Sequence, residues 1–339
     1  MPGSSWLQSE TPLDHDLLVD RNGNIHVVVG NNHPPGMVYA YPKYVPTNKK
    51  TPWCNHITCY ERIPLHYEVM HIYLRARGLV EESYDPKYGT NIIGLKRTDI
   101  VRTLNARRRL RDLIASPKTL LEILLVELVD ELRSLGIRLS DVGVTGSILA
   151  GIHNDEISDI DLVIYGEDNT LRMLEVVSSV LKPLTGTYMS EWVKNHSKAY
   201  KLPREIVEKY YAIWRRGLYK NRVVSLIYVD DKSISELYNY YSEIYYYLGA
   251  LRAIVEVDPH QITSLYYPLK TRARVVSIEK GLRISDELVI VSYESLYSKP
   301  LYLGGKLLVE GALYKVKGPH ERLELLIGVR EHRGFIKPL

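Results

Sequence analysis

The chain reads as an α+β fold in which a mixed sheet with flanking helices is followed by a small β-rich barrel or sandwich module. Three observations predict it. A broad apolar stripe of helical period runs through Leu120, Leu121, Leu124, Leu125, Leu128, Leu132 and Leu135. Two short apolar runs, Val142–Thr145 and Ile160–Gly166, flank a turn-rich spacer as buried strands do. From Gly249 onward, five short β-rich runs alternate with Pro- and Gly-containing turns.

Composition sets the outer bounds. A chain of 339 residues, 45% hydrophobic and 25% charged, can bury a sizeable core across two or three domains. Its longest apolar pattern is interrupted by Glu122, Glu127, Asp130, Glu131 and Arg133, so no stretch reads as a membrane span. The chain does not open on a basic region followed by an apolar run, and the expected location is cytoplasmic. A net charge of +4 is too small to indicate nucleic-acid binding on its own. Clusters matter more: Lys96, Arg97, Arg102, Arg107, Arg108, Arg109 and Arg111 face a single acid, Asp99, in their segment. The 27 tyrosines against one phenylalanine supply rings that bury area and can stack on bases.

Taken in order, residues 24–45 predict a hairpin, Ile25–Val29 and Met37–Val45, with Pro42 at an edge or bulge. Cys54, His56 and Cys59 lack a fourth ligand for zinc unless His66 or His71 supplies it. Buried thiols are the expected state, with a disulfide as the alternative for a hyperthermophile. Pro64–Gly78 and the basic segment 96–114 carry helical patterns. Ser116-Pro117 reads as an N-cap with proline at the first helical position of the leucine-rich helix, which ends at Gly136. Leu171–Leu181 and Pro203–Trp214 read as further helices, and Arg222–Val229 as a strand. The division that follows is an N-terminal β-hairpin and helix region at 1–95, a central domain at 96–248 and a β-rich domain at 249–339.

The chemistry concentrates in Gly146-Ser147 and, after eleven residues, Asp159-Ile160-Asp161. Glycine and serine at a helix start let backbone N–H groups approach an anion, and Ser158 adds a hydroxyl at the mouth of the acidic strand. Alternation along a strand turns Asp159 and Asp161 to one face, a wet and acidic one, and Ile160, Leu162 and Ile164 to the core. Two carboxylates so placed repel unless a cation sits between them. Magnesium, or manganese as the alternative ion, takes one or two protein carboxylates and completes its shell with water and substrate phosphates.

Gly-Ser, the spacer and Asp-x-Asp resemble the signature of the DNA polymerase beta-like nucleotidyltransferase superfamily, and within it an archaeal predicted nucleotidyltransferase. The clear match covers roughly residues 140–166. The resemblance implies a nucleotidyltransferase domain at 96–248 that binds a nucleoside triphosphate and moves its nucleoside monophosphate to a hydroxyl, releasing pyrophosphate. Gly146, Ser147 and Ser158 would bind the nucleotide; Asp159 and Asp161 would be both catalytic and metal-holding residues. A third carboxylate commonly projects from a neighbouring strand in that family, and here Ser225 occupies the equivalent position. Asp230 points to the wrong face and Asp231 lies too far along, so His153, Asp155 or Glu156 in the spacer become the alternative bases. Lys194, His196, Lys198, Lys201, Arg204, Arg215 and Arg216 are placed to face triphosphate or a nucleic-acid backbone.

RNA, including transfer RNA, is the expected acceptor, and the five C-terminal runs share their strand count with oligonucleotide-binding barrels. The absent third acid keeps open a non-catalytic nucleotide- or RNA-binding protein on the same fold. A protein or small molecule as the nucleotidylated acceptor is the third alternative. The sequence does not choose the base or the oligomeric state.

Overall fold

A computed structural model describes residues 11–63, 82–85, 87, 90–232, 240–284, 286–329 and 332–339. The expected helix at 64–78, with His66 and His71, lies outside the described residues.

The N-terminal sheet contains β1 (Leu17–Asp20), β2 (Ile25–Val28), β3 (Met37–Thr47), β4 (Trp53–Cys54), β5 (Cys59–Arg62), β6 (Glu82–Asp85), β7 (Thr90–Lys96) and β8 (Ile100–Leu104). Its main path runs β4-β5-β3-β2-β1-β8, and β7 joins β3 to β6. Pro42 sits where the β2–β3 register shifts, which spares the ladder the missing N–H. The segment 96–114 therefore divides: a short 3-10 turn at Arg97–Asp99 leads into strand β8, and the α-helix is confined to α1 (Ala106–Ala115). Ile100 to Leu104 alternates too few apolar residues to sustain a helical face, and pairing with β1 satisfies its backbone.

Next come α2 (Leu120–Ser134), β9 (Val142–Val144), α3 (Gly146–Ala150), β10 (Ile160–Tyr165), α4 (Glu167–Val180), α5 (Gly186–Tyr200), α6 (Arg204–Tyr210), β11 (Arg216–Tyr219) and β12 (Arg222–Val229). Thr119, rather than Ser116, caps α2, because its hydroxyl accepts from the N–H of Glu122. The central sheet has the order β11-β12-β10-β9, with β10 and β12 parallel and the other pairs antiparallel.

Both faces of this sheet are covered. Ile160, Leu162 and Ile164 pack with leucines of α1 and α2 and with Met173 of α4, as the alternation predicts. Each such leucine or isoleucine contributes about 1.5–3 kcal/mol by leaving water. The acidic face departs from expectation. Beyond Asp161, Val163 and Tyr165 are buried against Leu17, Ile25, Val27 and Tyr44 of the N-terminal sheet. That face is wet only around Asp159 and Asp161, because a second sheet closes over the rest.

The C-terminal part contains β13 (Ile244–Val257), β14 (Leu269–Lys280), β15 (Glu287–Ser292), α7 (Ser298–Leu303), β16 (Gly305–Lys317), β17 (Arg322–Ile327) and β18 (Phe335–Pro338). The pairings run β13-β14-β15-β17-β16, and β16 pairs back with β13, so the circuit returns to its start. Leu251, Ala253, Val255 and Val257, alternate residues of β13, share one apolar core with Ile290, Val309 and Leu325.

Among the described residues, no helix is long and apolar enough to cross a membrane. Cys54 and Cys59 face each other across the β4–β5 pair and form a disulfide, which corrects the expectation of two buried thiols. Both cysteines are half-buried.

Candidate active site

The site is assembled where β9 and β10 lie side by side. The N–H of Thr145 donates to the carbonyl of Asp161 at 2.9 Å, which sets the first turn of α3 against the acidic strand. Gly146 follows in a left-handed conformation, φ 66°. A Cβ there would stand 2.3 Å from Asp161 Oδ2, so only glycine permits this approach. Ser147 and Ser158 are both buried, and their hydroxyls meet at 3.3 Å, joining the start of α3 to the start of the acidic strand. The N–H of Asn154 also donates to Ser158 Oγ at 2.9 Å. Five of the six residues expected at the site, Gly146, Ser147, Ser158, Asp159 and Asp161, are thus gathered at one edge of β10.

Ser225, the sixth, is level with Asp161 on the parallel neighbour β12, where a third carboxylate was expected. The group beside it is a cation. Arg216 on β11 is the antiparallel partner of Ser225 and donates Nη1–H to its hydroxyl at 2.6 Å. The same guanidinium donates from Nη2 to Asp159 Oδ2 at 3.0 Å. Burial and the like charge of Asp161 hold the Asp159 carboxyl above the usual range, while Arg216 and Arg62 pull it down. Lys43 on β3 also feels both aspartates, and desolvation lowers its ammonium.

The other groups considered for catalysis are engaged elsewhere. His153 Nε2 lies 3.0 Å from Thr119 Oγ1, and Asp155 accepts from the N–H groups of Leu120 and Leu121, so both serve the start of α2. Desolvation raises the Asp155 carboxyl, but hydrogen bonds from Thr119, Leu121 and Leu120 hold it below its usual range. The carbonyls of Asp155, Glu156 and Ser158 accept from Arg222, which ties the spacer to β12. Asp231 pairs with Arg107 at 2.7 Å. Arg215 turns away from its neighbour Arg216, donating to Ser298 Oγ and the carbonyl of Leu265. Arg215 lies in the turn before β11, whereas Arg216 is the first residue of the strand. Lys43 and Arg62 were missed because they belong to the N-terminal sheet, far away in sequence; their spacing carries no local signal.

The donor set can be tested against a divalent cation. The two carboxylates are hard oxygen donors, and the glycine cradle leaves Asp161 Oδ2 accessible from the side that a Cβ would fill. Among the described residues, no group of three or more His, Cys, Asp or Glu is arranged to hold a metal. The two carboxylates have the donor chemistry that fits one magnesium or manganese ion completed by substrate oxygens, and among the described residues no third such ligand joins them.

Residues 125–229 match the family model of the nucleotidyltransferase domain. That span runs from α2 to the end of β12 and includes Gly146, Ser147, Ser158, Asp159, Asp161, Arg216 and Ser225. The central part of the chain is thus similar to domains that transfer a nucleoside monophosphate and generally use a nucleoside triphosphate with a divalent metal. The N-terminal sheet and everything beyond β12 lie outside the matched span. No curated protein and no solved structure matches the chain.

Proposed function

We propose that the protein is a magnesium-dependent nucleotidyltransferase moving a nucleoside monophosphate from a nucleoside triphosphate to a hydroxyl of RNA, transfer RNA among the acceptors. The observation that carries this reading is the packing of Gly146 against Asp161, a contact that positions the first turn of α3 beside two adjacent carboxylates. Asp159 and Asp161 would hold the ion. Once bound, it would align the triphosphate and neutralise charge developing on the phosphoryl oxygens. Gly146, Ser147 and Ser158 would orient the phosphates. Lys43, Arg62 and Arg216 would meet phosphate negative charge as it arrives, Arg216 exchanging Asp159 for a phosphate oxygen. The closed circuit of β13, β14, β15, β17 and β16 reads as a small barrel of the kind that binds oligonucleotides, which supports a nucleic-acid acceptor.

The test is incubation of the full chain with magnesium or manganese, each labelled nucleoside triphosphate in turn, and a pool of small RNA. Labelled RNA that disappears with Asp161→Asn is the expected result. Absence of label with every nucleotide and ion rejects RNA as the acceptor; protein and small-molecule acceptors are then assayed the same way.

A second reading has its own observation. Arg216 occupies Asp159 and the hydroxyl of Ser225 together, an arrangement suited to a nucleotide- or RNA-binding domain without chemistry. Under it, Asp159→Ala with Asp161→Ala leaves nucleotide and RNA affinity unchanged and no turnover is found with any acceptor.

A further inference from the structure

Two cavities share wall residues, and one of them reaches Arg216, the partner of Asp159. The smaller, of about 480 Å³, is walled in part by Arg216 and Ser225. The larger, of about 740 Å³, lies between the N-terminal sheet and the C-terminal strands. Val29, Tyr41, Tyr267, Tyr293 and Glu294 line both, so the two adjoin along a wall that includes three tyrosines. Both volumes fall in the range of roughly 300–1,000 Å³ typical of ligand sites.

The charge of the larger cavity is less balanced than its composition. Its walls hold Lys87, Lys232, Lys270, Arg272 and Arg322 against Asp230, Glu243, Glu294 and Glu324. Arg322 takes two of those acids, at 2.5 Å from Glu243 and 2.7 Å from Glu324. Burial raises the Glu294 carboxyl toward its neutral form. Lys270 and Arg272 alternate on β14, so they share one face of the strand. Arg274, next on that face, pairs with Glu256, while Lys270 acts on Glu243, which Arg322 already holds. Cations at strand spacing beside a tyrosine-lined wall match a backbone that carries regular negative charge and unstacked bases.

We propose that these adjoining cavities form the acceptor path, along which a single-stranded nucleic-acid end passes Lys270 and Arg272, stacks at Tyr267 and Tyr293, and brings its terminal hydroxyl to Arg216 and Ser225. The inference rests on the transferase reading above and specifies where its acceptor lies. A single strand is required, because a paired base cannot offer its face to a tyrosine ring.

The test is fluorescence anisotropy of a short fluorescein-labelled oligoribonucleotide with the full chain, without nucleoside triphosphate. Tyr267→Ala is expected to raise Kd about tenfold, the loss of one stacked base, and Tyr267→Phe to leave it unchanged. Lys270→Glu raises Kd severalfold at low salt. Arg108→Glu with Arg111→Glu, on the exposed side of α1, leaves it unchanged. Circular dichroism confirms that each variant is folded. If the α1 pair weakens binding and the cavity variants do not, the path is overturned and the nucleic-acid acceptor survives. Equal affinity for a duplex overturns it as well. If wild type binds no oligonucleotide, ribo or deoxy, the path fails, while triphosphate binding that depends on Asp161 would leave the transferase reading standing.

Discussion

Arg216 Nη2 lies 3.0 Å from Asp159 Oδ2, and this pair decides how the acid site is balanced. The strand that would bring a third carboxylate brings a serine, and the serine hydroxyl steadies the arginine that compensates the first carboxylate. Both members are about one-third exposed, so the pair is worth at most ~1 kcal/mol of affinity or stability.

Releasing that pair should expose Asp159 to cations. Arg216→Gln is expected to tighten manganese binding roughly two- to fivefold, the equivalent of a partly exposed ion pair. Adding Ser225→Asp to Arg216→Gln should tighten it further, since a third oxygen ligand then stands level with Asp161. Titration calorimetry reads both, and unchanged affinity in the double variant would mean that β12 does not face the ion.

Gly146→Ala separates strain from function when set beside Gly151→Ala. Both glycines are left-handed, with φ 66° and 69°, so each substitution costs about 1–2 kcal/mol in backbone strain. Only at position 146 does the new methyl strike Asp161; at Gly151 nothing lies within 4 Å. Urea unfolding should show a loss for both. Triphosphate binding, followed by a fluorescent analogue, should be lost for Gly146→Ala alone.

The Cys54–Cys59 disulfide closes a loop with a sequence separation of five. So short a loop removes little chain entropy, and Cys54→Ser should lower stability by about 2 kcal/mol. Because Cys59 shares β5 with Arg62, which acts on Asp159, triphosphate affinity should fall severalfold as the β4–β5 pair loosens. Urea midpoints with and without reductant check the first expectation, and binding in reductant the second.

His33 gives the protein a stability slope in mild acid. Burial pushes its imidazole down from 6.5 to about 4, with Arg97 adding to the shift. The unfolded chain therefore binds more protons between those values, and stability present above pH 6.5 is lost as pH falls through the window. His33→Asn keeps an acceptor for the N–H of Tyr39, which His33 Nδ1 now receives at 3.2 Å, and removes the titration. The acid-side loss should shrink by on the order of 2 kcal/mol, measured as unfolding free energy at several pH values. Asp16 works in the opposite direction, since burial raises its carboxyl to about 6 and favours folding on the acid side. It is unchanged in the variant and cancels in the comparison.

Much of the central domain was legible because its determinants are local. The leucine stripe of α2, the apolar alternation of β10 and the glycine at position 146 each constrain a short segment by periodicity or by allowed φ. Segment 96–114 misled because arginine is a good helix former and its run of charges concealed a strand that pairs with β1. Ser116-Pro117 misled because Thr119, three residues on, offers the same capping chemistry in better register.

The sequence by itself pointed to the glycine, the two serines and the two aspartates that the fold brings together as a candidate site, because backbone geometry and strand parity act within a few residues. Only the tertiary structure decided what faces those aspartates. Arg216 reaches Asp159 through antiparallel pairing of β11 with β12, while Lys43 and Arg62 arrive on a separate sheet packed over the same face. Charge compensation acts through space over distances that sequence spacing does not encode.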